Sequence, residues 1–272
     1  MAARTKLVYQ QSGELRQYLS KVISVSPVSS LPEPDRALVK EPTDEDHVLI
    51  TDETIFYVQG GGQPTDTGTI DSTEGGDSKT TFQVNSVRHP AKGGQILHFG
   101  RFDPPGSKAF TVGEGIKQSI DAEKRDLYSR LHTAGHVLGF AINQLSREGV
   151  LPALTESKAS HYPDSAAVEF GGIIEGKFKE AIQAKTDEFV RSAAAVNIHY
   201  WPMDEMMVKC TGMTADFTLP EGEELGRVVE MVGMGSYPCG GTHVTDCSKV
   251  GKIEVRKISR SKGVSRVSYK VV

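Results

Sequence analysis

The sequence is poor in cysteine, has no long apolar run and carries little excess charge. Its 272 residues include three cysteines, Cys210, Cys239 and Cys247. A small, odd number does not suggest a disulfide framework and suits a reducing compartment, where thiols are free to bind metal. No apolar run approaches the roughly 20 residues of a membrane-spanning helix, and residues 1–19 lack the apolar segment of a secretory signal. We therefore expect a cytoplasmic protein.

The formal net charge of −4 means that the whole molecule is not an electrostatic binder of nucleic acid. Any contact with a polyanion must come from a local patch. The C-terminal stretch 249–272 is such a patch, with eight basic residues, among them Lys252, Arg256 and Lys262, against one acid, Glu254. A solvated strand face is the alternative, but this asymmetry favours contact with phosphates.

Short strand-like segments fill the first ~110 residues. Residues 47–58, 81–89 and 94–100 are rich in β-branched and aromatic side chains, and stretches rich in Gly and Pro separate them. Several short strands with frequent turns predict a small β-barrel-like or sandwich-like module.

The pattern changes after this module. Residues 116–146 contain no proline and have leucines near helical spacing, so we predict a helix there, and a second one over 175–196. The C-terminus alternates like two paired strands around a turn at 261–263. The expected fold is α+β, with an N-terminal β-barrel-like domain (1–113) and a C-terminal α+β domain (114–272).

Two pairs of potential metal ligands stand out. His132 and His136 are four residues apart on the predicted helix, so both imidazoles lie on one face. Cys239 and His243 lie in PCGGTH, where glycines let the backbone bend around an ion. Together they form a set of three histidines and one cysteine, typical of zinc. Buried histidines and a structural glycine turn are the alternatives.

The zinc site predicted here differs from that of helix-borne metalloproteases. Those enzymes need a Glu directly after the first His as general base, and Thr133 occupies that position. Four protein ligands also allow a closed, purely structural site. Cys247 is close enough in sequence to replace one of the four ligands.

Five segments in this order resemble alanyl-tRNA synthetases and the AlaX-type trans-editing proteins related to them; the first resembles the glycine-rich segment that precedes the editing domain, and the other four resemble the editing domain itself. These segments are TIFYVQGGGQPTDTGTI (54–70), LHTAGHVL (131–138), KASHYPDSAAVEF (158–170), PCGGTHV (238–244) and SKGVSRVSYKV (261–271). The resemblance covers nearly the whole chain and implies a medium-length member, with a glycine-motif domain before a zinc-binding editing domain.

The chain departs from the family pattern at two places. Gly135 stands where the family usually has a larger residue, which changes the packing of the helix. The segment SKAS (157–160) replaces a sequence similar to QKGS, which bears on amino-acid specificity.

The resemblance implies hydrolysis of mischarged tRNA(Ala), chiefly Ser-tRNA(Ala) and also Gly-tRNA(Ala), with one zinc ion per chain. Binding energy discriminates such small side chains by only about 1–3 kcal/mol, so a second hydrolytic site is needed. Thr133 and His161 are the candidate catalytic polar groups near the ion; simple packing is the alternative for each.

The same resemblance suggests that Gly61, Gly62 and Gln63 contact the tRNA acceptor end or pack against the editing domain; a tight turn is the alternative. Lys252, Arg256 and Lys262 are expected to contact the tRNA backbone. Two other functions stay open. One is a non-catalytic tRNA-binding module stabilised by zinc, and the other is a deacylase for another aminoacyl-tRNA, because threonyl-tRNA synthetases carry a related domain.

Overall fold

Six antiparallel strands close into a barrel in the N-terminal part of the computed structural model. The structure describes residues 3–73, 80–213, 217–219 and 222–272. It divides into two compact units, the first made of Met1–Gly60 and Pro64–Arg125, the second of Gly61–Gln63 and Asp126–Val272.

The first unit contains the barrel, one parallel strand pair and one short helix. Its elements are β1 (Lys6–Leu7), β2 (Gln17–Pro27), α1 (Glu33–Arg36), β3 (His47–Thr51), β4 (Glu53–Thr54), β5 (Gly68–Ser72), β6 (Thr81–Arg88), β7 (Leu97–Asp103) and β8 (Gly115–Ile120). The order around the barrel is β2-β3-β7-β6-β5-β8, and β1 pairs with β4. Alternate side chains point inward, so Phe82 and Val84 of β6 and Ile70 of β5 lie in its apolar core.

The predicted helix over 116–146 is wrong at its start. Residues 115–120 form β8, and the helix begins at Ala122. Ile116, Gln118 and Ile120 are buried in strict alternation. Gln118 is tolerated inside because its amide nitrogen donates to Ser20 Oγ and to the carbonyl oxygen of Glu53 at 2.7 Å each. A spacing of four between two isoleucines fits both periods, so it does not separate strand from helix.

The second unit is built around the long helix, of which it includes the part from Asp126 onward. Its elements are α2 (Ala122–Arg147), β9 (Thr155–Ser160), β10 (Ala167–Gly171), α3 (Lys179–Arg191), β11 (Val196–Trp201), α4 (Met203–Lys209), β12 (Gly226–Met231), β13 (Gly235–Pro238), β14 (Ile253–Ser261) and β15 (Val264–Val271). Its sheets have the orders β14-β15-β10-β9 and β11-β12-β13, all antiparallel.

The middle of α2 is the centre of this unit. Every residue over 131–142 is buried, which is the environment of a helix enclosed on all sides. Leu131, Leu138 and Ile142 pack in one apolar cluster with residues from the sheets and from α3. The two histidines of α2 are therefore placed inside the unit.

The remaining predicted elements are found with shifted ends. The second helix runs over Lys179–Arg191 only, since residues 176–178 form a 3-10 turn and β11 begins at Val196. The C-terminal hairpin is confirmed, and its turn uses positive φ at Lys262 (49°) and Gly263 (80°). Mixed α and β structure with a small barrel is likewise confirmed, whereas the domain division at residue 113 stays a prediction. None of the described helices has the length and apolarity to cross a membrane.

Candidate metal centre and its cavity

Four potential metal ligands converge inside the second unit. The ligand atoms of His132, His136, Cys239 and His243 all lie within 4.8 Å of one another. The two helical histidines come from α2, and the other two residues come from the loop after β13. Cys239 Sγ is 3.4 Å from Nε2 of His132 and 3.3 Å from Nε2 of His243. The cluster could hold a metal ion.

Gln63 fixes the orientation of His132. Its Oε1 accepts from the backbone N–H of Thr242 at 3.1 Å, and its Nε2 donates to Thr242 Oγ1 at 2.9 Å. These two bonds settle which end of the amide is the oxygen, and that oxygen lies 2.7 Å from Nδ1 of His132. Nδ1 is therefore the protonated nitrogen, and Nε2 presents its lone pair to the cluster.

The hydrogen bonds of the other two histidines differ from those of His132. Nδ1 of His243 lies 3.1 Å from Thr133 Oγ1, so its Nε2 is the nitrogen turned toward Cys239. Nδ1 of His136 is buried and has no hydrogen-bond partner among the residues that the structure describes. A buried imidazole nitrogen is costly without a partner, and a metal ion is one partner that would satisfy it.

Burial sets the protonation of the cluster. It lowers the pKa of His132, His136 and His243 well below the usual value, and the nearby groups of His161 and Arg227 lower them further. Burial also raises the pKa of the Cys239 thiol, while Arg227 opposes that rise. The histidines are thus neutral, as metal ligation requires. A bound cation would reverse the shift at the thiol.

Two glycines leave space for the rings of His132 and His161. A Cβ on Gly241, in PCGGTH, would overlap the ring of His132. A Cβ on Gly135 would lie 2.6 Å from Nδ1 of His161 and 2.7 Å from the Tyr269 hydroxyl. The departure from the family pattern at Gly135 therefore has a physical reason, because a larger residue would displace His161.

The cluster opens on a cavity of about 880 Å³. His132, His136 and Cys239 are part of its wall, and so are Arg147, Lys158 and Glu156. A ligand in this cavity would reach the metal cluster and both positive and negative side chains.

Two families of known proteins match the sequence. The family described as tRNA synthetases class II (A) matches residues 4–124, and the one described as threonyl and alanyl tRNA synthetase second additional domain matches residues 227–268.

Individual relatives cover most of the chain. An alanine–tRNA ligase of Methanosphaera stadtmanae is 28% identical over 98% of this chain and 27% of its own length. One of Nocardioides sp. is 29% identical over 82% of this chain and 24% of its length. The alanyl-tRNA editing protein AlaX-L of Pyrococcus horikoshii is 28% identical over 88% of this chain and 55% of its length.

The sequence is therefore similar to alanine–tRNA ligases and to an AlaX-type alanyl-tRNA editing protein. It spans about a quarter of the two ligases and about half of AlaX-L.

The other predicted site residues lie in different surroundings, and only some of them line the cavity. His161 joins the site: it is buried, lines the cavity and stacks on His132, with ring centroids 4.1 Å apart and planes at 21°. Thr133 lies behind the cluster and is absent from the described cavity wall; its hydroxyl oxygen accepts from the N–H of Val244 at 3.2 Å. Cys247 is buried in the apolar core, away from the cluster, so the structure gives no support to it as a spare ligand.

The three residues of the glycine motif also differ from one another. Gly61 lines the cavity. Gly62 has φ of 78°, and its carbonyl oxygen accepts from the N–H of His161 at 2.8 Å. Gln63 is fully buried, so the structure does not present it to tRNA and gives it instead the role of orienting His132.

Sequence reasoning missed one residue beside the cluster. Arg227 donates from Nη1 to the carbonyl oxygen of Cys239, and its own carbonyl oxygen accepts from the N–H of Cys239 at 3.1 Å. It holds the loop that carries the thiol. No local motif marks it, because it lies on β12 among ordinary strand residues.

Proposed function

We propose that this chain hydrolyses the ester bond of mischarged tRNA(Ala), chiefly Ser-tRNA(Ala) and also Gly-tRNA(Ala). The observation that carries the proposal is the cluster of three histidines and one cysteine, three of which line a cavity of about 880 Å³. Its relatives are named as alanine–tRNA ligases and an alanyl-tRNA editing protein, which supports the same substrate class.

Zinc is the metal that these donors fit best. For a tetrahedral ion with Zn–S of about 2.3 Å and Zn–N of about 2.05 Å, sulfur and nitrogen ligands lie about 3.6 Å apart. The two Sγ–Nε2 distances, 3.4 Å and 3.3 Å, are close to this value. When bound, zinc supplies a Lewis acid for the ester carbonyl or for water.

The side chains of the cavity have separate tasks in this proposal. Nδ1 of His161 is 2.8 Å from the Tyr269 hydroxyl, whose proton goes to the carbonyl oxygen of Leu131 at 2.9 Å. His161 therefore donates through Nδ1 and keeps Nε2 as an acceptor, which we assign to the water that attacks the ester or to a ribose hydroxyl. The water adds to the carbonyl carbon, the ester bond to the ribose breaks, and the ribose oxygen receives a proton.

Cations at the cavity favour a polyanionic substrate. Arg147, in the last turn of α2, and Lys158, on β9, both line the cavity and are exposed to solvent. They are suited to the phosphates next to the terminal adenosine.

A deacylation panel tests the function. The zinc-loaded chain is assayed with Ser-, Gly- and Ala-tRNA(Ala) and with Thr-tRNA(Thr). We expect hydrolysis of the first two, sparing of Ala-tRNA(Ala) and no preference for Thr-tRNA(Thr). Cys239→Ser should lose most of the zinc and the activity, while Cys210→Ser, which alters a cysteine outside the cluster, should keep both.

Two results would replace the proposal. Binding of tRNA without hydrolysis of any ester, at one zinc per chain, would make this a non-catalytic tRNA-binding module. Faster hydrolysis of Thr-tRNA(Thr) would make it a deacylase of another class.

A further inference from the structure

One carboxylate lies in the part of the cavity wall that the structure describes. Among the residues described in this wall, Glu156 of β9 is the only acid. Arg147 and Lys158 contribute positive charge to the wall, and the metal cluster could bind a cation. The side chain is half-buried. The proposed mechanism gives it no task.

The two oxygens of Glu156 are not equivalent. Oε2 accepts from the Tyr237 hydroxyl at 2.5 Å and from Nδ2 of Asn143 at 3.0 Å. Oε1 has no hydrogen bond to any residue that the structure describes, although the side chain borders the cavity. One oxygen is therefore anchored, and the other is available to a donor in the cavity.

Neighbouring residues fix the position of the Glu156 carboxylate. A Cβ on Gly139 would lie 2.9 Å and 3.0 Å from the two oxygens, so only glycine leaves them room. The Tyr237 ring stacks on Phe140, with centroids 4.4 Å apart. Packing from α2 thus fixes both the carboxylate and one of its donors.

Tyr237 also links this carboxylate to the metal cluster. Its ring centroid is 4.8 Å from that of His136, and its hydroxyl reaches Glu156. In an aminoacyl ester only one carbon separates the α-ammonium from the carbonyl carbon. The carboxylate of Glu156 lies one aromatic ring away from the metal ligand His136. A substrate whose carbonyl group is at the metal cluster could therefore bring its α-ammonium group to this carboxylate.

We propose that Oε1 of Glu156 accepts a hydrogen bond from the α-ammonium group of the aminoacyl ester, while Asn143 and Tyr237 hold the carboxylate in place. This proposal rests on the proposed function. The chain then acts on esters with a free α-amine and discriminates against N-acylated ones, whatever the side chain. An ammonium beside Oε1 gives this carboxylate a compensating charge. Consistent with this geometry, burial raises the pKa of Glu156, and a neighbouring cation would lower it.

Paired substrates test the proposal. Deacylation of seryl-tRNA(Ala) is compared with that of N-acetylseryl-tRNA(Ala), which lacks the ammonium charge. We expect wild type to favour the free amine by about 10- to 100-fold in kcat/KM, the size of one charged hydrogen bond. Glu156→Gln should remove most of this preference by slowing only the free-amine substrate. Glu148→Gln, at an exposed acid outside the cavity wall, should keep it.

A binding measurement separates this proposal from the function itself. The probe is 3′-seryl-amido-3′-deoxyadenosine, whose amide resists hydrolysis, with and without an N-acetyl group, titrated calorimetrically into the zinc-loaded chain. If neither ester is hydrolysed, the function fails, yet a free-amine preference lost in Glu156→Gln still supports the ammonium site. Equal weakening of both probes in Glu156→Gln, with zinc content and melting temperature unchanged, would overturn it, as would equal affinity of wild type for both.

Discussion

The side-chain oxygen of Gln63 lies 2.7 Å from Nδ1 of His132, a residue 69 positions away. The same oxygen accepts from the backbone of Thr242, in the loop that carries Cys239 and His243. One glutamine thus ties together the helix and the loop that supply the candidate ligands. The glycine-rich motif is thereby in direct contact with both metal motifs.

Replacing Gln63 should weaken the metal site without removing a ligand. In Gln63→Ala the imidazole of His132 loses the acceptor that selects its tautomer, and we expect zinc affinity to fall about 10- to 100-fold. Competition with a chromogenic chelator measures the affinity.

Gln144→Ala is the matched control, because the side chain of this glutamine of α2 donates to exposed Glu148 at 2.8 Å and lies outside the ligand cluster. It should retain the wild-type affinity. Unchanged zinc affinity in Gln63→Ala, or an equal loss in both variants, would contradict the orienting role.

The ligand set was predictable because its chemistry is local. His132 and His136 share a helix face, and Cys239 and His243 share a short loop, so residue type and spacing suffice to propose them. For Gln63 the sequence predicts either contact with the tRNA acceptor end or packing against the editing domain, and it does not distinguish the two. Its burial depends on distant residues and has no local signal.

Gly135 shows the same limit. The sequence marks it as a departure, but only the packed structure shows that the space serves His161, whose ring stacks on His132. The strand at 115–120 was missed for a different reason. A buried polar residue, Gln118, hides the alternation that otherwise identifies a strand.

The glycine-rich motif has a second anchor, in the first unit. Asp66 and Arg125 form a fully buried ion pair, and Asp66 Oδ2 also accepts from the N–H of Tyr57 at 2.7 Å. Asp66→Asn would leave the Arg125 guanidinium buried with no countercharge. We expect the free energy of unfolding to fall by about 3–5 kcal/mol, measured by urea denaturation. Glu45→Gln, which removes an exposed partner of Arg101, should stay close to wild type. Equal effects of the two variants would refute the importance of burial.

His98 should make the barrel sensitive to acid. It is fully buried, bonded to Thr54 Oγ1 at 2.8 Å and to the carbonyl oxygen of Leu49 at 3.0 Å, and burial lowers its pKa to about 4. Above the unfolded pKa of about 6.5 both states are neutral. Between about pH 6.5 and pH 4 the unfolded chain binds a proton that the folded chain does not, so the free energy of unfolding decreases as the pH is lowered.

This shift corresponds to about 3 kcal/mol lost by pH 4, with no further loss from His98 below that. Urea unfolding of wild type and His98→Gln between about pH 7 and pH 4.5 measures the difference in slope. The variant should be less stable at neutral pH but should lose less on acidification. Parallel slopes would mean that His98 is not the sensitive group.

The C-terminal stretch 249–272, which includes the hairpin of β14 and β15, contains basic residues of two kinds. Three of the eight are held by ion pairs: Arg266 with Glu169 at 2.8 Å, Lys270 with Glu254 at 2.9 Å and Lys249 with Asp246 at 3.4 Å. By contrast, Lys252, Arg256 and Lys262 are exposed and form no ion pair with residues that the structure describes. Cations outside ion pairs release more counterions when a phosphate binds than cations already held by an acid.

These three exposed cations should contact the tRNA backbone. Replacing Lys252, Arg256 and Lys262 together with alanine should weaken tRNA binding and reduce the slope of log affinity against log salt by roughly 2–3. Filter binding at several salt concentrations measures both quantities, and zinc content should be unchanged because none of the three is in the ligand cluster. The control replaces Lys40, Lys92 and Lys108, exposed cations of the first unit, and so changes the net charge equally. If the two triple variants shift the slope equally, the effect comes from overall charge, and the hairpin is only a solvated strand face. A loss confined to the hairpin variant would assign the phosphate contact to this surface.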